Sequence, residues 1–246
     1  MKMACRKKHS SVSSVLNVDL NQTHRLAMKK MTLSRRLSWI PFTVCLWASH
    51  ANAGRPLAVD DANVNDQGAG HVEFWVARDS NKMDTWNLAP AFAPVAGVEI
   101  GVSYAKARKN GSAEQAIQAK WRITPSQENG CNVASTLGSV HEKTVGSSPY
   151  WVGILTCNSA LGSVHVNLTH HNPKDEKNYN SWGVAFERAV GSVTPHMEVF
   201  GDDGGKPTVQ FGAKTDIAPR LQLDATVGRD RQNMANVYSI GFKYSF

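Results

Sequence analysis

The chain has 246 residues, with 27 Lys and Arg against 20 Asp and Glu and a net charge of +7. Nine of those cations and one acid, Asp19, fall within residues 1–53, so residues 54–246 hold 18 cations against 19 acids and are nearly neutral. The basic balance belongs to the front of the chain, which excludes a broad basic face for nucleic acid on the remainder.

Lys29, Lys30, Arg35 and Arg36 precede the apolar run 39–48, and Ala51-Asn52-Ala53 follows it. A basic region, an apolar region and a small-residue cleavage box in that order predict a secretory signal peptide over 28–53, cut after Ala53. The alternative is a buried helix, since the run is about half of what a membrane-spanning helix needs. Met28 or Met31 is the expected start, with 1–27 as an extension that a misplaced gene start would add. Cys5 and Cys45 precede the cut, and Cys131 and Cys157 follow it. An even pair suits an oxidising compartment. Their spacing, without a CxxC, does not suit zinc. No metal site and no cofactor is expected.

Residues 54–70 carry Pro56, Asp60, Asp61, Asn63, Asn65, Asp66 and three glycines, the composition of a flexible polar arm. From 71 to 246 the chain breaks into short alternating runs. The expected strands are 71–78, 84–91, 98–107, 114–123, 131–140, 149–157, 162–171, 179–190, 194–201, 207–216, 220–229 and 235–246. Val98, Ile100, Val102 and Tyr104 oppose Glu99, Gly101 and Ser103. Ile117, Ala119, Trp121 and Ile123 oppose Gln118, Lys120 and Arg122. A period of two means strands. A soluble sandwich alternates too, but its polar face looks to bulk water. Here small residues recur beside charges on the polar face, as a narrow interior requires. The expected fold is all-β: a transmembrane antiparallel up-and-down β-barrel of about 12 strands over 71–246. Proline marks alternate connections, at Pro94, Pro125, Pro195 and Pro219, on the side of both termini. Turns on that side, the periplasmic side of such a barrel, are expected to be short.

The last strand ends on Tyr238, Ile240, Phe242, Tyr244 and Phe246 along one face. That terminus resembles the closing strand of bacterial outer-membrane barrels, whose final aromatic is read by the barrel-assembly machinery. The resemblance implies an assembly signal at Phe246, Tyr244 and Phe242. It also implies a bacterial outer-membrane location among lipid and lipopolysaccharide. The segments 192–201 (Ser-Val-Thr-Pro-His-Met-Glu-Val-Phe-Gly) and 215–225 (Thr-Asp-Ile-Ala-Pro-Arg-Leu-Gln-Leu-Asp-Ala) resemble hairpins of the transporter-like family named after a phenol-degradation pathway. That resemblance, over about 180–246, implies an outer-membrane barrel and passage of small hydrophobic or polar solutes. It supplies no catalytic residues.

The candidate functional residues are the charges on the polar face. They are Glu73, Glu99, Lys120 and Arg122 in the first half, with Glu187, Glu198, Lys214, Asp224 and Lys243 in the second. Lumen charges tune passage through an open pore; in a closed interior they pair and only stabilise it. Twelve strands leave a lumen whose closure needs many side chains or an inserted segment, and 54–70 could supply the segment. Cys131 opens the fifth strand and Cys157 closes the sixth, which sets them opposite each other at the periplasmic end, within reach of a disulfide. The alternative is two unrelated small apolar residues. His165 and His171 both point inward but lie roughly 20 Å apart along their strand, too far to share a metal. Three functions remain open. The first is a channel or transporter for small solutes, and the second a non-conducting structural or adhesion barrel exposing loops such as 172–178. The third is a lipid hydrolase using Ser163 and His165, which share a face. The expected class is not an enzyme, and no catalytic residue is assigned.

Overall fold

The computed structural model describes residues 57–246, apart from 81, 109, 110, 144, 145 and 175. The expected leader and extension lie outside the described residues. Twelve strands follow in chain order: β1 (Gly70–Asp79), β2 (Asp84–Val95), β3 (Val98–Ala107), β4 (Ala113–Arg122), β5 (Gly130–Glu142) and β6 (Gly146–Ser159). The second half holds β7 (Gly162–His171), β8 (Tyr179–Glu187), β9 (Val193–Asp202), β10 (Thr208–Ala218), β11 (Leu221–Asp230) and β12 (Ala235–Ser245). Each strand pairs antiparallel with its sequence neighbours, and β1 pairs with β12 from His71↔Ser245 to Asp79↔Val237, closing the barrel. Closure leaves no unpaired edge, which strands in hydrocarbon require.

The seam is fixed at the termini. Gly70 and Phe246 exchange both backbone hydrogen bonds at 2.9 Å. A Cβ on Gly70 would stand 2.8 Å from the Phe246 ring, so glycine there lets the terminal aromatic lie against the first strand.

Three local differences from the expected strands have physical causes. β6 starts at Gly146, because the chain through Pro149 continues the ladder, with Val140↔Ser148 and Glu142↔Gly146. β8 stops at Glu187, and 188–192 forms a turn closed by the bridge Val190↔Val193, with Gly191 at φ 63°. Pro94 and Pro195, expected in turns, lie within β2 and β9. Pro94 sits where the register shifts between Phe92 and Val95, a bulge that tolerates the missing N–H.

Connections on the side of both termini include the two-residue turns 96–97, 160–161 and 219–220. They also include 123–129, which is as long as 172–178 on the opposite side, so shortness does not separate the two ends. Asn132 orders this longer turn: its Oδ1 accepts from Gln127 N at 2.7 Å, and its Nδ2 donates to Gln127 O at 3.0 Å.

The outer face is apolar and exposed over the whole circumference, with Phe74, Leu88, Ile100, Ile117, Leu168 and Ile240 among its members. Trp86, Tyr104, Trp151, Trp182 and Tyr238 lie toward the end away from the termini, whereas Phe92, Phe186 and Tyr244 lie toward the terminal end. A continuous apolar belt of this extent is covered in a stable protein, and aromatic girdles at both rims mark the two interfaces of a bilayer. The buried side chains are mostly polar or charged, among them Lys120, Glu198 and Asp224, because the barrel's inside is its polar side.

Candidate functional site: the lumen and its arm

The segment 57–65 runs inside the barrel, and 66–68, exposed, lead from it to β1. It enters beside β1 and crosses to β8 and β9, held at each step by an inward side chain. Ala58 and Val59 donate their amides to Glu198 Oε2 at 2.8 and 3.0 Å. Asn167 engages Asp60 twice, its Oδ1 accepting from Asp60 N at 2.6 Å and its Nδ2 donating to Asp60 O at 2.8 Å. Ala62 N donates to Thr156 Oγ1 at 2.9 Å. Glu99 Oε2 accepts from Asn65 N at 3.0 Å and Asn65 Nδ2 at 2.7 Å. A strand in a sheet would satisfy these amides with carbonyls; here the barrel wall uses two carboxylates, an amide and a hydroxyl instead.

Two apolar contacts seat the same segment. Val59 is buried against Gly183, where an added Cβ would stand 2.6 Å from Val59 Cγ2. Ala62 packs with Ala134 and Ile154. Burying a valine contributes roughly 2 kcal/mol. Lys120 supplies the ionic contact, its Nζ donating to Asp60 Oδ1 at 2.9 Å and lying 3.6 Å from Asp61 Oδ1. Burial pushes the Asp61 carboxyl above its ordinary range, with Lys120 opposing and Asp60 reinforcing the shift.

On the β7–β11 side the interior is filled by a buried polar chain. Thr156 Oγ1 lies 2.9 Å from His165 Nδ1, His165 Nε2 lies 3.6 Å from Glu187, and Lys214 Nζ lies 2.7 Å from Glu187. Gly212 makes room for the next ring: a Cβ there would stand 2.5 Å from His196 Cε1. Buried charges cost several kcal/mol unless paired, and these are paired. On the β1–β7 side a cavity of about 260 Å³ stays open between arm and wall.

Apart from Arg122, the charges singled out in the sequence fall into these two regions. Glu73, Glu99, Lys120 and Lys243 line the cavity, with Lys243 Nζ 3.9 Å from Glu73. Glu187, Glu198 and Lys214 belong to the filled side, and Asp224, buried, is the ladder partner of Lys214. Arg122, half-buried, lies two residues from Lys120 toward the turn 123–129. Phe242, Tyr244 and Phe246 point outward. Cys131 and Cys157 are direct ladder partners joined by a disulfide. Ser163 and His165 do not meet: Ser163 Oγ donates to Asn158 Oδ1 at 2.8 Å. His165 is 1% exposed, out of a substrate's reach. Sequence reasoning did not single out Asn167, Thr156, Glu114 or Tyr150. All four share the inward parity of their strands, which was the available signal.

No curated protein matches the chain in sequence. Solved structures do match in fold. The KdgM porin in complex with disordered oligogalacturonate is 11% identical, with 72% of this chain and 99% of the porin covered at a TM-score of 0.61. The NanC porin is 10% identical, with 70% and 98% covered at 0.58. The outer membrane protein Omp33 of Acinetobacter baumannii is 8% identical, with 73% and 99% covered at 0.53. The fold is thus that of porin-like outer-membrane barrels, and fold and apolar belt together place the chain in an outer membrane. The hairpin resemblance to the phenol-pathway family narrows to this coarser likeness. At the level of sequence, residues 42–243 match the family described as Uncharacterised conserved protein UCP029691, and the chain belongs to that family.

Proposed function

We propose that the protein is an outer-membrane channel for small solutes whose lumen is narrowed by its own N-terminal arm. The observation that carries this reading is the cavity of about 260 Å³ inside a closed, polar-walled barrel. A barrel serving only as a membrane support has no need of an open, charge-lined interior. The porin fold of the similar structures supports the reading, as does the resemblance of 192–201 and 215–225 to a transporter-like family. In this reading the belt faces lipid and lipopolysaccharide, the barrel-assembly machinery reads Phe246, and the barrel performs no catalysis. The burial of His165 and the bond from Ser163 to Asn158 count against a hydrolase.

A second reading, a non-conducting barrel, draws on the arm and on the filled β7–β11 side. Planar-bilayer recording of the folded chain separates the two. The channel reading expects discrete small conductance steps. Lys120→Glu places a carboxylate against Asp60 and Asp61, loosens the arm and enlarges the steps. Folded, inserted barrel without conductance in both forms selects the structural reading.

A further inference from the structure

Five carboxylates face the cavity against two ammonium groups, histidines counted neutral. Glu73, Glu99 and Glu114 come from the wall, and Asp60 and Asp61 come from the arm. The two cations, Lys120 and Lys243, already lie against carboxylates: Lys120 on Asp60 at 2.9 Å, Lys243 at 3.9 Å from Glu73. Glu114 has Glu142 as its direct ladder partner, a like charge. Asp61 is among the residues of the arm that line the cavity, and its Oδ2, buried, has no hydrogen-bond partner among the described residues. An ammonium group, with three donors and no acceptor, is the chemistry that pairs with such an excess of carboxylates.

We propose that the cavity is a binding site for small organic cations carrying a primary ammonium, and that the arm creates this preference. Without the arm, three carboxylates face two ammonium groups and the wall is close to balance. With it, acidic side chains around the cavity outnumber lysines by three. Low-dielectric barrel walls focus that field on whatever enters. The volume exceeds a bare ion's needs and suits a short aliphatic amine. Selective passage of such cations rests on the channel reading; binding does not.

The probe is 1,4-diaminobutane, measured by titration calorimetry on the folded full-length mature chain at low ionic strength. A heat-dependent gel shift serves as the check on folding in every variant. The wild type is expected to bind. Asp60→Asn with Asp61→Asn weakens binding by about tenfold or more. Glu114→Gln, which leaves every described arm contact in place, weakens it as well. Glu128→Gln, in the turn 123–129, leaves it unchanged. Reversal potentials in a KCl gradient are expected to favour cations and to move toward balance in the Asp60/Asp61 variant. A barrel that binds the diamine without conducting overturns the channel reading and keeps the cation site. A barrel that conducts without cation preference and binds no diamine overturns the cation site and keeps the channel. Binding indifferent to all the cavity substitutions overturns the site too.

Discussion

Gly183 shows how a single residue sets the state of the lumen. It sits on the inner face of β8, and the space its missing side chain leaves is filled by Val59. Gly183→Val therefore drives Cβ and both methyls into the arm, whose weakest anchors give first. The amides of Ala58, Val59 and Asp60 are then expected to exchange at least about tenfold faster, a loss of roughly 1.4 kcal/mol of local protection. Peptide-resolved hydrogen exchange reads this, and unchanged protection over 57–62 contradicts the seating of Val59. Glu198→Gln tests the same anchor by another route. It keeps the shape but replaces a carboxylate acceptor by a neutral one, which is expected to cost about 1 kcal/mol and to accelerate exchange at Ala58 and Val59 more than at Asn65. Alternation made the inward parity of Glu198 readable from sequence. Its partner was not readable, because a bond across 140 residues between a side chain and an arm amide leaves no periodic trace.

Among the elements, the β5–β6 hairpin and the β1–β12 seam carry separable expectations. Thirteen ladder pairs already zip β5 to β6. The Cys131–Cys157 bridge therefore constrains a loop that the folded barrel closes anyway, and its gain is limited to the unfolded chain. Cys131→Ser with Cys157→Ser is expected to lower stability by no more than about 4 kcal/mol and to leave the folded barrel intact. Non-reducing mass mapping that finds two free thiols in exported protein rejects the bridge. The seam is less tolerant. Deleting Phe246 removes its paired bonds with Gly70 and the ring that covers it, so less barrel is expected to reach the heat-modifiable folded form. Full assembly of that truncation contradicts a closing role. The twelve strands were readable because lipid outside and a polar lumen inside impose the same alternation on each. The ends of β6 and β8 were not, since Pro149 reads as a strand break and 188–190 as strand. Cross-strand pairing decided both. The expected strand bounds already left seven residues at 124–130, but the side-chain bonds of Asn132 that hold this turn leave no turn motif to read.

At the scale of the whole molecule, the belt, the closed ladder and the polar interior make one membrane-spanning object. The protein is expected in the outer-membrane fraction, with a gel mobility that changes on boiling; recovery as a soluble monomer without detergent contradicts this. The barrel was legible in the strand pattern together with the leader and the terminal aromatic. The path of the arm was not, since Asp60, Asn63 and Asn65 look as suited to solvent as to a polar lumen. What the lumen admits depends on whether the arm stays where Val59 meets Gly183. The most direct measurement joins the two positions as Val59→Cys with Gly183→Cys and records single-channel conductance in a planar bilayer while reductant is added. Wild type, recorded alongside, controls for reduction of Cys131–Cys157. The predicted result is a bridged barrel with small steps that enlarge on reduction, with no change in wild type. Failure of the bridge to form in folded barrel, or steps of one size before and after reduction, contradicts a channel narrowed by its own arm.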